Sequence, residues 1–328
     1  MCLATAAQTA ENPIRLALFH TELERDGPGL LFRDIEKGAE DTRLAAQRIA
    51  LANADIVVLL GVDYDLNGLA LNALAEKIAA IGGPLYPTRF ALRPNTGMDS
   101  GQDLDGDGRR GEPEDAQGYG AFSGAGGMAI LSRWPVRRDG VRDFSRRLWR
   151  SFEWATLPAT RDGLFPSAAA YDSLRLSTTG HWIVPIALPR GGSLPLAVYH
   201  ATPPVFDGPE DRNGFRNADE TLFWVQRLAA YPDEPLVIIG GANLDPNRGD
   251  GRRGAIRSLL DHPALIDPFA PDSLTVDWSD IGLGKMRTDY ILPTRNWAVT
   301  GSGTIWPPAP SDQESRHALI WVDLSPEQ

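Results

Sequence analysis

Short, uninterrupted apolar runs alternate with amphipathic stretches along most of this chain. Ile14 to Phe19 predicts a first strand. Ala45, Ile49 and Ala52 recur at spacings of four and three, which predicts a helix over about 41–52. Asp55 to Leu60 follows as a strand buried on both faces, because Ile56-Val57-Val58-Leu59-Leu60 lacks the alternation of a half-exposed one. A second helix is expected from a cap at Asn67, through Leu71, Leu74, Ile78 and Ile81, to a stop at Gly82-Gly83-Pro84. From about 94 to 127 the periodicity gives way to a Gly/Asp-rich loop. Strands resume at 128–131, 182–186 and 194–200. A helix over about 218–231 is opened by Asn217 with Glu220 three residues on, the pattern of a capping box. Its buried stripe would be Ala218, Leu222, Val225 and Leu228-Ala229. Strands at 236–239, 289–292 and 319–322 complete a series that predicts a layered α/β sandwich. The expected organisation is a flexible tail at 1–13 and one domain over 14–325, with an insertion at about 94–127.

Composition narrows the function more than the fold. A chain of 328 residues with 42% hydrophobic and 23% charged residues can bury a large core. No run approaches the roughly 18 apolar residues of a membrane helix, so a soluble protein is expected. The formal charge of −11 disfavours nonspecific attraction to nucleic acid. Arg137-Arg138 and Arg252-Arg253 are either solvated surface or contacts for a small anionic ligand. Cys2 is the only cysteine, which leaves no intrachain disulfide. A cysteine there, before the small polar run Ala4 to Gln8, suits a lipid anchor on an exported, periplasmic protein whose signal is not part of this chain. An incidental cysteine on a cytoplasmic tail fits the residues equally well.

Five words at predicted strand ends carry a resemblance. They are GMAILSR (127–133), YHATPP (199–204), IIGGANLDP (238–246), RTDYIL (287–292) and SRHALIWV (315–322). In this order they resemble the endonuclease/exonuclease/phosphatase family, whose fold is a four-layer α/β sandwich. The resemblance implies phosphoester hydrolysis assisted by a divalent ion, usually Mg²⁺, held by carboxylates. It implies that His317 activates water and is oriented by Asp289, and that His200 and Asn243 contact phosphoryl oxygens.

Four positions depart from that pattern. His20 stands where the first strand should end in asparagine, and Gly61 where the second should deliver a metal-binding glutamate. Gly241 replaces the aspartate of Gly-Asp-x-Asn, and Arg316 replaces that of Ser-Asp-His. Losing three carboxylates and gaining a guanidinium should remove most affinity for Mg²⁺. Asp63, two residues along from Gly61, and Asp245, four along from Gly241, are candidate substitute ligands. His20 is either a new ligand or acid/base group, or a filler of a closed pocket. The leading expectation is therefore a pseudoenzyme, or a metal-independent protein that binds a small phosphorylated or anionic ligand or a protein partner. The alternative is an active phosphodiesterase or phosphatase with a displaced metal.

Asp103-Leu-Asp105-Gly-Asp107-Gly108, followed by Glu114, fits the spacing of a calcium loop, with Arg109 offering its carbonyl. Pro and Gly dominate the flanks, so no helix pair is expected, and Asp115 or Glu112 could stand in for Glu114. A structural Ca²⁺ would staple this insertion. A second loop, Phe206 to Arg216, contributes Asp207, Asp211, Arg212 and Arg216 as candidate ligand contacts or as surface ion pairs.

Overall fold

The computed structural model describes residues 13–308 and 313–326. Cys2 and nearly all of the N-terminal tail lie outside the described residues. The principal strands are β1 (Ile14–Leu23), β2 (Ile56–Val62), β3 (Thr88–Phe90), β4 (Gly127–Ser132), β5 (Gly180–Ala187), β6 (Ser193–His200), β7 (Val237–Gly241), β8 (Asp289–Pro293), β9 (Trp297–Ile305) and β10 (Leu319–Pro326). One sheet has the six-strand order β9-β10-β1-β2-β4-β3. The other runs β8-β7-β6-β5 and is finished by the short strand Arg142–Asp143. Helices α1 (Leu30–Lys37), α2 (Glu40–Ala52) and α3 (Leu69–Ala80) cover the first sheet, and α4 (Arg212–Ala230) and α5 (Gly254–Leu260) cover the second.

The apolar runs without alternation follow from this layering. Leu16, Leu18, Val58 and Leu60 pack between the sheets against Val198, Ile239 and Ile291. Their neighbours Ala17, Phe19, Val57 and Leu59 pack outward against Ile49, Leu74 and Ile78 of the helices. Both faces are buried there, so no polar position interrupts residues 16–19 of β1 or 56–60 of β2. Among the described residues, no helix is long and apolar enough to cross a membrane.

Two helix starts differ from expectation. The side chain of Asp65, not Asn67, caps α3, accepting the backbone N–H groups of Leu69 at 2.7 Å and Ala70 at 2.9 Å. Ile81 lies past the helix end and is exposed. Helix α4 begins at Arg212, so Asn217 and Glu220 lie inside it rather than forming a capping box. Asn217 donates through Nδ2 to the carbonyls of Thr202 (2.6 Å) and Ala242 (2.7 Å). Glu220 accepts the N–H groups of Thr178 (2.5 Å) and Thr202 (2.8 Å). These buried groups bolt α4 to the segments that leave β6 and β7. Ala218 and Leu228 of the expected stripe are buried together with Phe223 and Trp224, Leu222 and Val225 are half-buried, and Ala229 is exposed.

Candidate active site

Strands β1 and β2 are parallel, as are β6 and β7, so these four end on one edge of the sandwich. Strands β8 and β10 run against their partners and begin on that edge. This topology gathers His20, Gly61, His200, Gly241, Asp289 and His317, which are far apart in sequence. Gly241 pairs directly with both His200 and Asp289.

The centre is a cluster of imidazoles. The His20 ring lies 4.2 Å from that of His317 and 4.8 Å from that of His200, measured between centroids. His317 Nδ1 is 2.7 Å from Asp289 Oδ2, and both residues are buried. The backbone around them is fixed from several sides. Ser315 Oγ donates to the His20 carbonyl at 2.6 Å and accepts the His317 N–H at 3.1 Å. Arg48, paired with Glu314 at 2.8 Å, donates to the His317 carbonyl at 2.8 Å. Asn243, at φ 51°, donates through Nδ2 to the Ala201 carbonyl at 2.8 Å and sits 3.4 Å from His200 Nε2.

Charge is distributed unevenly over these rings. Burial pushes the His200 imidazole down to about 3, with His20 adding to the effect, so His200 is neutral. Burial also opposes a charge on His20, yet the Glu24 and Asp289 carboxylates outweigh it and raise its pKa. Asp289 stays ionised because His317 and His20 overcome the cost of burying its charge.

Glu24 carries no motif and was invisible in the sequence. Its Oε1 lies 3.9 Å from His20 Nε2. A Cβ placed on Gly61 would fall 2.7 Å from that same oxygen and 2.7 Å from His20 Cδ2. A carboxylate from the segment after β1 therefore occupies the space beside the vacated position on β2. Gly61 also has φ +64°, a left-handed conformation that favours glycine. At Gly241 a Cβ would meet His200 Cδ2 at 2.9 Å.

Asp63 and Asp245 are engaged elsewhere. Asp63 accepts the N–H groups of Arg25 and Gly126, each at 3.0 Å. Asp245 accepts those of Asn247, Arg248 and Arg287 at 2.7–2.8 Å. Both organise turns at the rim. Arg316 is paired with Asp280 at 3.0 Å and Glu22 at 3.4 Å, so its charge is balanced at the mouth.

The acidic loop is brought together only in part. Single ligand atoms of Asp103, Asp105 and Asp107 lie within 4.8 Å of one another, and Glu114 is not part of that set. Asp103 accepts the N–H groups of Gly106 and Gly108, Asp105 that of Asp107, and Asp107 that of Arg109. Glu114 is exposed on a short 3-10 turn, and Arg109 leans on Glu112 at 3.3 Å. Asp115 is buried beneath the loop and accepts the Leu104 N–H at 2.7 Å. The residues of the second loop are mostly structural. Arg216 is buried and donates to backbone carbonyls, including that of Leu176 at 2.9 Å. Asp211 pairs with Arg252 at 2.6 Å, Asp207 accepts the Asn213 N–H, and Arg212 donates to the Leu104 carbonyl.

The histidines open into a cleft of about 630 Å³ whose walls include Glu24, Asn243, Arg248 and Arg316. Phe206, Tyr119, Ile281 and Leu283 line the same cleft and are 90%, 68%, 56% and 54% exposed. Exposed apolar side chains thus share the mouth with the ion-paired Arg316, and the floor is polar and ionisable.

The same arrangement of elements recurs in solved structures. The catalytic domain of human Nocturnin, determined with a bound sulfate anion, is 14% identical, with 96% of this chain and 94% of that one covered at a TM-score of 0.57. A protein of the endonuclease/exonuclease/phosphatase type from Beutenbergia cavernae is 17% identical, covering 96% and 72% at 0.58. A mannosyl-6-phosphatase from Bacteroides thetaiotaomicron is 13% identical, covering 95% and 99% at 0.52. No curated protein matches the chain by sequence. The model of the Endonuclease/Exonuclease/phosphatase family matches residues 29–313. That match spans most of the chain, and the chain belongs to the endonuclease/exonuclease/phosphatase family.

Proposed function

We propose that the protein hydrolyses phosphoesters in this cleft, on a centre rebuilt around histidine rather than on the carboxylate-held Mg²⁺ implied by the family resemblance. The observation that carries this reading is the buried Asp289–His317 pair at 2.7 Å, set among His20 and His200 at the floor of an open cleft. Asp289 fixes the ring orientation of His317 and balances the imidazolium formed when it takes a proton from water. Asn243 and the neutral His200 offer hydrogen bonds to phosphoryl oxygens.

The donor set does not fit Mg²⁺. That ion demands near-octahedral oxygen coordination, and the floor offers Glu24 and an asparagine amide amid three imidazoles, with Asp289 buried behind His317. The exposed Phe206, Tyr119, Ile281 and Leu283 at the mouth favour a small phosphoester with an apolar organic part. The net charge of −11 disfavours a long nucleic acid.

A pseudoenzyme that only binds an anion or a partner is the second reading. It is favoured by Arg316, which stands at a carboxylate position of the resemblance, and by the bare Gly61 and Gly241. Assaying a p-nitrophenyl phosphodiester and monoester, with chelator and with a series of divalent ions, separates the two. Turnover that is lost in His317→Ala is expected. Phosphate binding with no turnover under any ion would establish the pseudoenzyme instead.

A further inference from the structure

We infer that His20, Asp289 and His317 form a binding site for a nitrogen-preferring first-row divalent ion of the zinc or cobalt type. One ligand atom from each lies within 4.8 Å of the others. That spacing lets a single ion at roughly 2.0–2.2 Å from each donor touch all three after small side-chain adjustments. The three residues come from separate strand ends, so the fold and not local sequence brings them together.

Unused donors point to an ion. Nδ1 of His20 and Oδ1 of Asp289 are buried and have no hydrogen-bond partner. A buried polar atom left unpaired costs about 1–3 kcal/mol, and the great majority in folded proteins are satisfied. Both orphans belong to the residues whose ligand atoms converge. Nδ1 of the adjacent His200 is a third buried atom without a partner. Metal coordination would use the lone pairs that no protein donor reaches.

The chemistry of the donors selects the ion. Imidazole suits zinc, copper, iron and nickel, whereas magnesium and calcium take oxygen. Replacing an oxygen ligand position by His20, with carboxylates absent at Gly61 and Gly241, shifts the set from hard to borderline. Asp289 already hydrogen-bonds His317, an arrangement that raises the basicity of a ligating imidazole. Three protein ligands would leave a four-coordinate ion one position for water or substrate, as in catalytic zinc sites. With Nδ1 of His317 facing Asp289 at 2.7 Å, its other ring nitrogen either ligates the ion or takes a proton from water, so when bound the ion would supply the activation of water in place of His317; for this role in turnover the inference rests on the hydrolase reading, and the existence of the site does not.

Chelator-stripped full-length protein titrated with Co²⁺ and then with Zn²⁺ tests the site without reference to activity. The expected result is a visible ligand-field band of low-coordinate Co²⁺, at one equivalent, bleached by Zn²⁺ and unmoved by a thousandfold excess of Mg²⁺. His20→Ala should weaken Co²⁺ binding at least about 100-fold. His20→Asn, which keeps a polar group at that strand end, should do the same while preserving the fold, checked by circular dichroism. The triple variant Asp103→Asn/Asp105→Asn/Asp107→Asn should retain the band, which separates the cleft from the acidic loop. Absence of a Co²⁺ band in folded protein, a band that survives both His20 variants, or displacement by Mg²⁺ would each overturn the inference. A normal band without phosphoester turnover would leave the site standing and remove the hydrolase reading.

Discussion

The cleft and the acidic loop are the two places where this chain concentrates potential ligands, and they are built on opposite terms. In the loop, three carboxylates are presented on the surface, and each already accepts a backbone N–H from its own turn. In the cleft, fewer groups converge, but they are buried and several of their atoms have no partner. The loop has satisfied its donors locally, as Asp and Asn do in turns. The cleft has left its donors unsatisfied, as a site does when a ligand completes it. Spacing in sequence favoured the loop; burial and orphaned atoms favour the cleft.

Breaking the cleft should have the largest effect. His317→Ala is expected to lower turnover of a phosphoester by roughly 10²–10⁴-fold, the usual contribution of a general base. The protein should remain folded, and kinetics read beside a melting curve checks both. Turnover that survived would move the chemistry away from the Asp289–His317 pair.

Restoring the family's carboxylate should fail. Gly61→Glu must place a Cβ against Glu24 and His20 at a left-handed backbone position. A loss of roughly 1–3 kcal/mol is expected for such overpacking, with no gain of Mg²⁺-dependent activity. Urea midpoints and a metal-dependence series measure it. A variant that was as stable as wild type and Mg²⁺-activated would mean that Glu24 is a bystander.

A buried carboxyl outside the cleft provides a control on the energetic argument. Burial raises Glu220 from 4.5 to about 7. Its proton is held more tightly in the folded than in the unfolded chain, so the stabilising contribution is present below pH 4.5 and is lost as pH rises to about 7. The stability gap between wild type and Glu220→Gln should therefore shift toward the variant over that range, by up to roughly 1.4 kcal/mol per pH unit. Denaturant curves at pH 5 and pH 8 read the shift, and a pH-independent gap would contradict the burial account.

Smaller effects sharpen the contrast. Glu24→Gln should lower the pKa of His20, because the carboxylate that raises it is gone; NMR titration of the imidazole reports it. Ca²⁺ should raise the melting temperature by no more than about 2 °C, which for a domain of this size corresponds to about 1 kcal/mol. That gain should vanish in Asp105→Asn. A much larger rise would place the loop among true metal staples.

The buried strands were legible because both of their faces are covered, so Ile56-Val57-Val58-Leu59-Leu60 reads as one apolar block. The candidate site residues His200, Asn243, Asp289 and His317 could be picked out because each lies in or beside a recognisable strand word. What sequence concealed depends on contacts between distant segments. Helix α1 is only eight residues long and buries two apolar side chains, Leu31 and Ile35, too few to declare a period. Strand β9, written in Thr, Ser and Gly, has no apolar signature apart from its ends. Asn217 and Glu220 matched a capping box in spacing, yet the strand ends claimed both side chains first. Glu24 became visible only once β1 and β2 lay side by side.

The crowding at Gly61 also gives this sequence a direction in time. While Glu24 and His20 fill the space beside β2, no single substitution at that glycine can regain a side chain without collision. A side chain regained there would have to push the Glu24 carboxylate and the His20 ring aside and take up a left-handed backbone. Relatives that carry the glycine should therefore carry the pair Glu24 and His20 with it, and lose all three together or none.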